Sequence, residues 1–176
     1  MISTRKLAAL VVAAALMIAL PTYAEPALLR TTALLDEPRS YCIDIRGQAA
    51  AMRITEPLQG RTCTISQWVD MLFDNARIAL DAHLYMPKYD LFLAAQFAEA
   101  GAGLVLESCA GGALQSWVHG ETGALVLTEA PQPCVTLGAE AGINAGGPGY
   151  VRRSLALAPC DAAAEAEAWA FAAPPG

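Results

Sequence analysis

The sequence has 176 residues, of which 11 are Lys or Arg and 17 are Asp or Glu, so its net charge at neutral pH is −6. This length corresponds to about one domain and is sufficient to bury a core. Proteins that bind nucleic acid or an acidic membrane surface usually carry excess positive charge, so we expect neither partner here.

The first 24 residues have the pattern of a secretory signal peptide. Arg5 and Lys6 precede an apolar run, Leu7–Leu20, and small residues stand before the expected cut after Ala24. The alternative is a membrane anchor, but the run has 14 residues, fewer than the roughly 20 that span a bilayer. We therefore expect one domain, 25–176, that is secreted or periplasmic and not inserted in a membrane. Removal of the leader, which has two basic residues and no acidic one, would change the net charge to −8.

Short apolar or alternating segments, separated by turn residues, follow the leader. Tyr41–Ile45, for example, alternates with a period of two and ends at Arg46-Gly47. Many short strands at intervals of about ten to fifteen residues favour an all-β sandwich or barrel. The segments that we predict as strands are Ala33–Leu35, Tyr41–Ile45, Met52–Ile54, Gly103–Leu106, Gly123–Leu127, Cys134–Leu137 and Ser154–Leu157.

Two segments also have helical character. Between Trp68 and Leu84 an apolar residue recurs at every fourth position, as on the buried stripe of an amphipathic helix. The alanine-rich tail, Asp161–Ala173, favours a helix by propensity. Asn75 in the first segment and Trp169 in the second, which fits a repeated motif, favour strands instead. The fold class predicted is therefore all-β.

Cysteine and aromatic residues recur at an interval of tens of residues, which indicates an internal repeat. Cys63, Cys109 and Cys160 are 46 and 51 residues apart. An aromatic residue closes each repeat, and we expect these three residues in the core rather than in a binding site. The closing motifs are Met71-Leu72-Phe73, Gln115-Ser116-Trp117 and Glu167-Ala168-Trp169, and the repeats extend over about 28–73, 74–117 and 118–171.

Five cysteines in an exported chain indicate disulfide bonds. We expect an early and a late position of each repeat to face each other across a hairpin. Cys109 would then have no partner, because Phe92 occupies the early position of the middle repeat, and we expect it to be a buried free thiol. The expected disulfide pairs are Cys42 with Cys63 and Cys134 with Cys160.

The repeated unit has a cysteine that opens one strand, an alternating segment that leads to a second cysteine, and a closing Gln-x-Trp. This pattern resembles the ricin B-chain lectin family over Leu28–Phe171, although only the middle unit has an intact Gln-x-Trp. The resemblance implies a single β-trefoil domain. It also implies a carbohydrate-binding function.

In such lectins an aspartate two residues after the first cysteine binds the sugar, together with an aromatic ring and amide side chains. Asp44 follows Cys42 at that spacing, and Gln59 lies four residues before Cys63, also at the family's position. A carboxylate of this kind accepts hydrogen bonds from two adjacent hydroxyls. The alternative for Asp44 is a structural carboxylate at the end of a strand.

Arg61 stands where the family often has its stacking aromatic residue. It either forms a salt bridge with Asp44 that closes the site or donates to an acidic or heavily hydroxylated glycan. Trp68, in the loop after Cys63, either supplies the missing ring or packs against the core. The predicted carbohydrate-binding residues are therefore Asp44, Gln59, Arg61 and Trp68.

The other two repeats lack a carboxylate with an amide partner, so we expect one weak site per chain. The longer loop Gly138–Arg153 is either a partner surface or a tolerated insertion. The residues at the corresponding positions are Ala94 with Val105 and Glu107 in the second repeat, and Thr136 with Ala156 and Ala158 in the third.

No pattern of catalytic residues is recognisable. His83 and His119 have no carboxylate or cysteine at a spacing typical of a metal site or a nucleophile, and we expect no metal, no cofactor and no enzyme activity. The sequence thus predicts a lectin-like protein that binds a glycan. The alternative is a trefoil that has lost sugar binding and serves a protein partner, as an inhibitor or a toxin accessory subunit. A small hydrolase would be a third class, and no residue pattern supports it.

Overall fold

The computed structural model describes residues 25–64, 68–161 and 164–174, and of Trp68 only the backbone. The predicted signal peptide, 1–24, lies outside this description. One α-helix is present in the described residues, α1 (Arg77–Asp81), and no helix there is long and apolar enough to cross a membrane. Short 3₁₀ turns occur at Ala49–Ala51, Trp68–Asp70, Ala113–Gln115 and Glu165–Glu167. The strands are β1 Ala27–Thr31, β2 Tyr41–Asp44, β3 Gln59–Thr62, β4 Leu72–Phe73, β5 Tyr85–Met86, β6 Leu91–Ala95, β7 Leu104–Glu107, β8 Trp117–His119, β9 Leu125–Leu127, β10 Cys134–Leu137, β11 Ile143–Asn144, β12 Val151–Arg153, β13 Leu155–Ala158 and β14 Trp169–Ala172.

Three antiparallel hairpins have the same register. β2 pairs with β3, β6 with β7, and β10 with β13. The hairpins also contact one another, because Leu58 N–H donates to Leu104 O at 2.7 Å and Leu157 N–H donates to Ala102 O at 2.9 Å. Three directly opposed pairs occupy the same place in the three hairpins, namely Asp44 with Gln59, Ala94 with Val105, and Thr136 with Ala156.

The remaining strands connect one repeat to the next. β1 pairs with β14 and with β4, so the first and last repeats are joined. A bridge joins Asp74, which directly follows β4 of the first repeat, to Tyr85 of the second repeat, and β8 pairs with β9 where the second repeat meets the third. The strands thereby close into a barrel beside the three hairpins. This arrangement is the single β-trefoil that the sequence predicts.

The aromatic residues that close the repeats lie in the core, as predicted. Phe73 and Trp169 are fully buried, and Trp117 is 1% exposed. Trp117 Nε1 donates to the carbonyl oxygen of Leu93 at 2.9 Å, and Trp169 Nε1 donates to that of Val135 at 2.8 Å. Since Leu93 and Val135 hold the same place in β6 and β10, these two bonds give the same alignment of the repeats as the hairpin register does.

Gln115 and Glu167 bind backbone groups in the turns before these tryptophans. Gln115 Oε1 accepts a hydrogen bond from Ala110 N–H at 2.8 Å, and its Nε2 donates to Ser108 O at 2.9 Å. Glu167 Oε2 accepts from Asp161 N–H at 2.7 Å. Both side chains are nearly buried, so these bonds satisfy polar groups that would otherwise lack a partner, and each ties its turn to the segment that directly precedes it.

The helical signals in the sequence correspond to short elements only. Between Trp68 and Leu84 the chain forms a 3₁₀ turn, β4 and the five-residue α1. The tail forms one 3₁₀ turn and then β14, which lies against β1 over four residue pairs. Pairing with a distant strand therefore outweighs the helix propensity of alanine. The prediction of an all-β fold is confirmed.

Two of the predicted strands are wrong. Ala33–Leu35 lies in the bend and turn after β1, and Met52–Ile54 leads into the turn before β3. The true strands, β1 and β3, show almost no alternation, since all four residues of β3 and four of the five residues of β1 are buried. Their partners β14 and β12 come from the third repeat, so the local sequence does not reveal them.

The structure joins Cys42 to Cys63 and Cys134 to Cys160, with Cα–Cα distances of 5.1 and 5.0 Å. These are the pairs expected from the repeat, and each bridge spans one hairpin.

The third late cysteine, Cys109, has no disulfide partner and is exposed, so the expectation that it is buried is wrong. Phe92, which is 7% exposed, fills the place of a bridge, as expected. No covalent bond draws the segment after β7 toward β6. That segment, 108–113, is exposed.

The longer loop of the third repeat, Gly138–Arg153, contains a hairpin of its own. β11 pairs with β12, and β12 pairs with β3 of the first repeat, with Arg152 opposite Arg61 and Arg153 opposite Gly60. The sheet order at this place is β11-β12-β3-β2-β1-β14. We call β11, β12 and the turn between them the inserted hairpin; it extends the first repeat by two strands.

Candidate functional site

The first hairpin brings two of the predicted site residues into direct contact. Asp44 ends β2 and Gln59 begins β3, and the register places them opposite each other. Gln59 Nε2 donates a hydrogen bond to Asp44 Oδ2 at 3.1 Å. Their exposed fractions are only 3% for Asp44 and 5% for Gln59. The carboxylate and its amide partner therefore form a closed pair beneath the surface.

Burial dominates the protonation of Asp44. Removal from water raises the pKa of this carboxyl to about 7, because a charged carboxylate loses its hydration, and the nearby charge of Asp70 also raises it. The hydrogen bond from Gln59, the charge of Arg61 and a backbone N–H bond at Ile45 act in the opposite direction but do not compensate. Near neutral pH, Asp44 is thus divided between its neutral and charged forms.

Asp70 is a neighbour of this site that the sequence analysis did not select. It ends the 3₁₀ turn before the first closing motif, and its Oδ1 accepts hydrogen bonds from Lys88 Nζ and from the Tyr89 hydroxyl. Burial and the hydrogen bond to Asp70 raise the pKa of Tyr89 to about 12. A sequence signal did exist, because Asp70 stands three residues before Phe73, where the other two repeats have apolar residues.

Arg61 lies on the same strand as Gln59 and is 6% exposed. Its guanidinium carbon is 5.2 Å from the centroid of the Tyr150 ring, and that of Arg39 is 5.3 Å from the same ring. Tyr150 belongs to the inserted hairpin. An aromatic ring therefore lies beside the first hairpin, although position 61 itself has none, and it comes from the third repeat.

The fourth predicted residue, Trp68, begins the 3₁₀ turn Trp68–Asp70. Its side chain lies outside the described part of the structure, as do residues 65–67. The two predicted alternatives for Trp68, a ring in the site and a residue packed in the core, both remain predictions.

The corresponding positions of the other two hairpins have no carboxylate. Ala94 lies opposite Val105, and Thr136 lies opposite Ala156. Thr136 Oγ1 donates to the carbonyl oxygen of Cys134 at 3.0 Å and is 3.4 Å from Glu167 Oε1. Thr136 therefore serves contacts within its own repeat.

Polar contacts hold the inserted hairpin against the first repeat. Asp36 accepts hydrogen bonds from Gly142 N–H at 2.8 Å and from the Tyr41 hydroxyl at 2.7 Å, and it forms a salt bridge with Arg153 at 2.6 Å. Partial burial of Asp36 raises its pKa, but these three partners outweigh that effect and lower the pKa to about 2.

A second group of contacts lies next to β3. Glu37, which is 3% exposed, accepts hydrogen bonds from Arg39 and, at 2.8 Å, from Thr62 Oγ1. Arg39 also donates to the carbonyl oxygen of Gly149, and Val151 N–H donates to Thr62 Oγ1 at 2.9 Å. The inserted hairpin is thus anchored along its length beside the Asp44–Gln59 pair.

Other features of the described residues lie away from this pair. A half-open cleft of about 210 Å³ occurs in the third repeat, beside the Cys134–Cys160 disulfide and Glu167. Asp44, Gln59 and Arg61 do not line it. Within the described ranges, no cluster of three or more His, Cys, Asp or Glu side chains is arranged to hold a metal ion.

Comparison with known proteins gives structural neighbours only. No family model matches the chain, and a search of the curated proteins finds no match. Among solved structures, the mdaA-1 domain has a TM-score of 0.63 and 15% identity, with coverage of 93% of this chain and 99% of that one. The agglutinin from Abrus precatorius has a TM-score of 0.61 and 13% identity. The match covers 88% of this chain but only about half, 51%, of the agglutinin chain.

A third neighbour is the β-trefoil lectin of the Vibrio vulnificus hemolysin/cytolysin, whose structure contains N-acetyl-D-lactosamine. Its TM-score is 0.54 at 16% identity, and the match covers 87% of this chain and 98% of that one. These similarities agree with the β-trefoil derived above from the strand pairing.

Proposed function

We propose that this chain is a carbohydrate-binding, lectin-like protein without catalytic activity, and that its one sugar site lies in the first repeat at Asp44 and Gln59. The observation that carries the proposal is the buried Asp44–Gln59 pair. It is present in one hairpin and replaced by apolar or hydroxyl side chains at the same register in the other two.

A buried carboxylate lowers the free energy of unfolding, so a purely structural role does not explain why Asp44 is present. Its charged form loses hydration, and the hydrogen bonds from Gln59 and from the backbone at Ile45 do not replace the lost water. The second and third hairpins have the same register without such a carboxylate, so the fold does not require it. Titratable groups with strongly shifted pKa values cluster at functional sites, and this favours a binding role for Asp44.

The chemistry of the pair suits a sugar. Asp44 would accept hydrogen bonds from two adjacent hydroxyls, and Gln59 would offer one further donor or acceptor. The ring of Tyr150, whose centroid is 5.2 Å from the guanidinium carbon of Arg61, would cover an apolar face of the sugar. Because Asp44 and Gln59 are covered in this structure, the residues over them must move aside when the ligand enters.

The neighbours and the disulfides support this proposal at a coarser level. Two of the structural neighbours are an agglutinin and a lectin, and the Vibrio vulnificus lectin is described with N-acetyl-D-lactosamine bound. Two disulfides in one domain are typical of an oxidising compartment, so we place the protein outside the cytoplasm, secreted or periplasmic.

A second candidate is a trefoil that binds a protein instead of a sugar. The observation that favours it is the closure of the first site, since Asp44, Gln59 and Arg61 are each at most 6% exposed. The inserted hairpin would then be a partner surface that has replaced the sugar site.

A glycan array tests the proposal with the purified wild type and Asp44→Ala, which removes the carboxylate. Asp44→Asn is a second variant, nearly isosteric, that keeps an acceptor for Gln59. Thr136→Ala is the matched control at the same register of the third repeat. We expect the wild type and Thr136→Ala to bind the same glycans and both Asp44 variants to lose at least about tenfold in affinity.

Two results would contradict the proposal. Undiminished binding by both Asp44 variants would place the sugar elsewhere on the molecule. An array without any bound glycan would favour the protein-binding candidate, for which a pull-down that compares the intact chain with a chain lacking 139–152 is the next experiment.

A further inference from the structure

The inserted hairpin extends a row of residues that begins in the proposed sugar site. In the paired strands β2, β3, β12 and β11, Cys42 lies opposite Arg61, Arg61 opposite Arg152, and Arg152 opposite Ile143. Directly opposed residues of neighbouring antiparallel strands point to the same face of a sheet. Arg61 and Arg152 are therefore side by side, one row away from Asp44 and Gln59 and on the same face.

Carboxylates hold three of the cations around the inserted hairpin and the first site. Arg153 is paired with Asp36, Arg39 with Glu37, and Lys88 with Asp70. Arg61 interacts with Asp44 and Tyr150.

The side chain of Arg152 is half-buried and makes no hydrogen bond or salt bridge with another described residue. Like charges that lie directly opposite in a sheet are destabilising, and Arg152 lies opposite Arg61. Asp44 offsets the two positive charges only in part, because burial raises its pKa to about 7. The side chain of Arg152 thus carries a positive charge, next to Arg61, for which the described part of the chain supplies no partner.

We infer that Arg61 and Arg152 form an anion-binding subsite next to the Asp44–Gln59 pair, and that the glycan bound there carries an acidic group, a carboxylate or a sulfate. This inference rests on the proposed function and specifies its ligand. A guanidinium group is planar and donates two parallel hydrogen bonds to the two oxygens of a carboxylate or sulfate. A neutral sugar has no such charged pair of acceptors. An anion between the two arginines would also relieve their repulsion.

The subsite explains why the inserted hairpin lies where it does. The inserted hairpin supplies both Arg152 and Tyr150, and the contacts of Asp36 and Arg39 hold this hairpin against the first repeat. The ring of Tyr150 lies against the guanidinium of Arg61 and keeps it beside Arg152. The second and third hairpins have neither an added strand nor an arginine pair. We therefore expect selectivity for acidic glycans at the first hairpin alone.

An array of matched glycans tests the inference. Each neutral glycan is printed beside its sialylated, uronate-containing and sulfated counterparts, and affinities are then measured at low and at physiological salt. We expect the wild type to prefer acidic members by about tenfold or more, and the preference to decrease with salt. The sialylated and uronate arms report a carboxylate, and the sulfated arm reports a sulfate.

Three variants locate the preference. Arg152→Gln should remove it while neutral binding through Asp44 remains, and Arg152→Lys should keep only part of it, because an ammonium group lacks the bidentate geometry. Arg53→Gln is the control; it removes the same charge from the first repeat, at an exposed ion pair with Glu56 where the Arg53 side chain is 61% exposed. Arg53→Gln should behave as the wild type.

The outcomes separate the inference from the proposed function. Equal binding of neutral and acidic glycans, or an acidic preference that survives in Arg152→Gln, would overturn the anion-binding subsite and leave the sugar site at Asp44 intact. Absence of binding to every printed glycan would overturn both.

Discussion

Replacement of Asp44 by asparagine should stabilise the protein at neutral and alkaline pH. The asparagine side chain has nearly the same shape as that of aspartate and retains an oxygen that accepts the hydrogen bond from Gln59 Nε2, which spans 3.1 Å in the wild type. It cannot ionise, so the variant avoids the cost of a buried charge. The difference in free energy of unfolding between the variant and the wild type therefore reports the cost of the buried charge.

The magnitude follows from the pKa of the buried carboxyl. Burial raises the pKa of Asp44 from its ordinary value of 3.8 to about 7. Since each pKa unit corresponds to about 1.4 kcal/mol, this difference corresponds to about 4 kcal/mol. Between these two pH values the folded state holds a proton that the unfolded chain releases, so the wild type loses stability as pH rises from about 4 to about 7 and loses no more above that.

Urea denaturation of both proteins at a series of pH values tests this reasoning. The difference in free energy of unfolding, Asp44→Asn minus wild type, should be below about 1 kcal/mol at pH 4 and rise to about 4 kcal/mol at pH 8. Glu121→Gln, which changes an exposed carboxylate, is the control and should follow the wild type at every pH. Parallel curves for Asp44→Asn and wild type would show that Asp44 is charged and well solvated in the folded protein, and would refute the argument from its burial.

Three further predictions concern other parts of the fold. Cys109 should react with a thiol reagent in the folded protein at one equivalent per chain, because it is exposed, and Cys109→Ser should abolish the reaction; a thiol that reacts only after denaturation would contradict its position. Replacement of both Cys134 and Cys160 by serine should lower the free energy of unfolding by about 3 kcal/mol, because the bridge closes a loop with a sequence separation of 26 residues. An unchanged denaturation midpoint would show that the bridge is absent. Trp169→Phe should lower the free energy of unfolding by about 1–3 kcal/mol in the same denaturation experiment, because it leaves the buried carbonyl of Val135 without its 2.8 Å hydrogen bond. An unchanged free energy of unfolding would mean that water replaces the indole N–H.

The sequence predicts the features that each repeat determines for itself. The resemblance to ricin B-type lectins selected Asp44 and Gln59 for one site, and the structure places them opposite each other. The spacing of the cysteines placed Phe92 at the position that a cysteine occupies in the other repeats. The closing aromatic residues lie in the core as predicted, because a motif that recurs in all three repeats must satisfy the same packing three times.

Features that depend on distant segments were not predictable in the same way. β1 pairs with β14 from the far end of the chain, and β3 pairs with β12 of the inserted hairpin, so the local sequence of neither strand records these partners. The position of Arg152 opposite Arg61 follows from that long-range pairing. The sequence indicated that Cys109 has no disulfide partner, but its exposure depends on the path of the segment after β7, which the repeat pattern does not determine.

The most direct test of the central claim, a single sugar site in the first repeat, is to map glycan binding by the amide chemical shifts of the isotope-labelled protein. The glycan with the strongest array signal is titrated into the wild type. We predict the largest shifts at Asp44, Gln59 and Arg61, with small shifts at Ala94, Val105, Thr136 and Ala156, which hold the same register in the other two hairpins. Equal shifts in all three hairpins, or shifts confined to the second or third, would contradict the account.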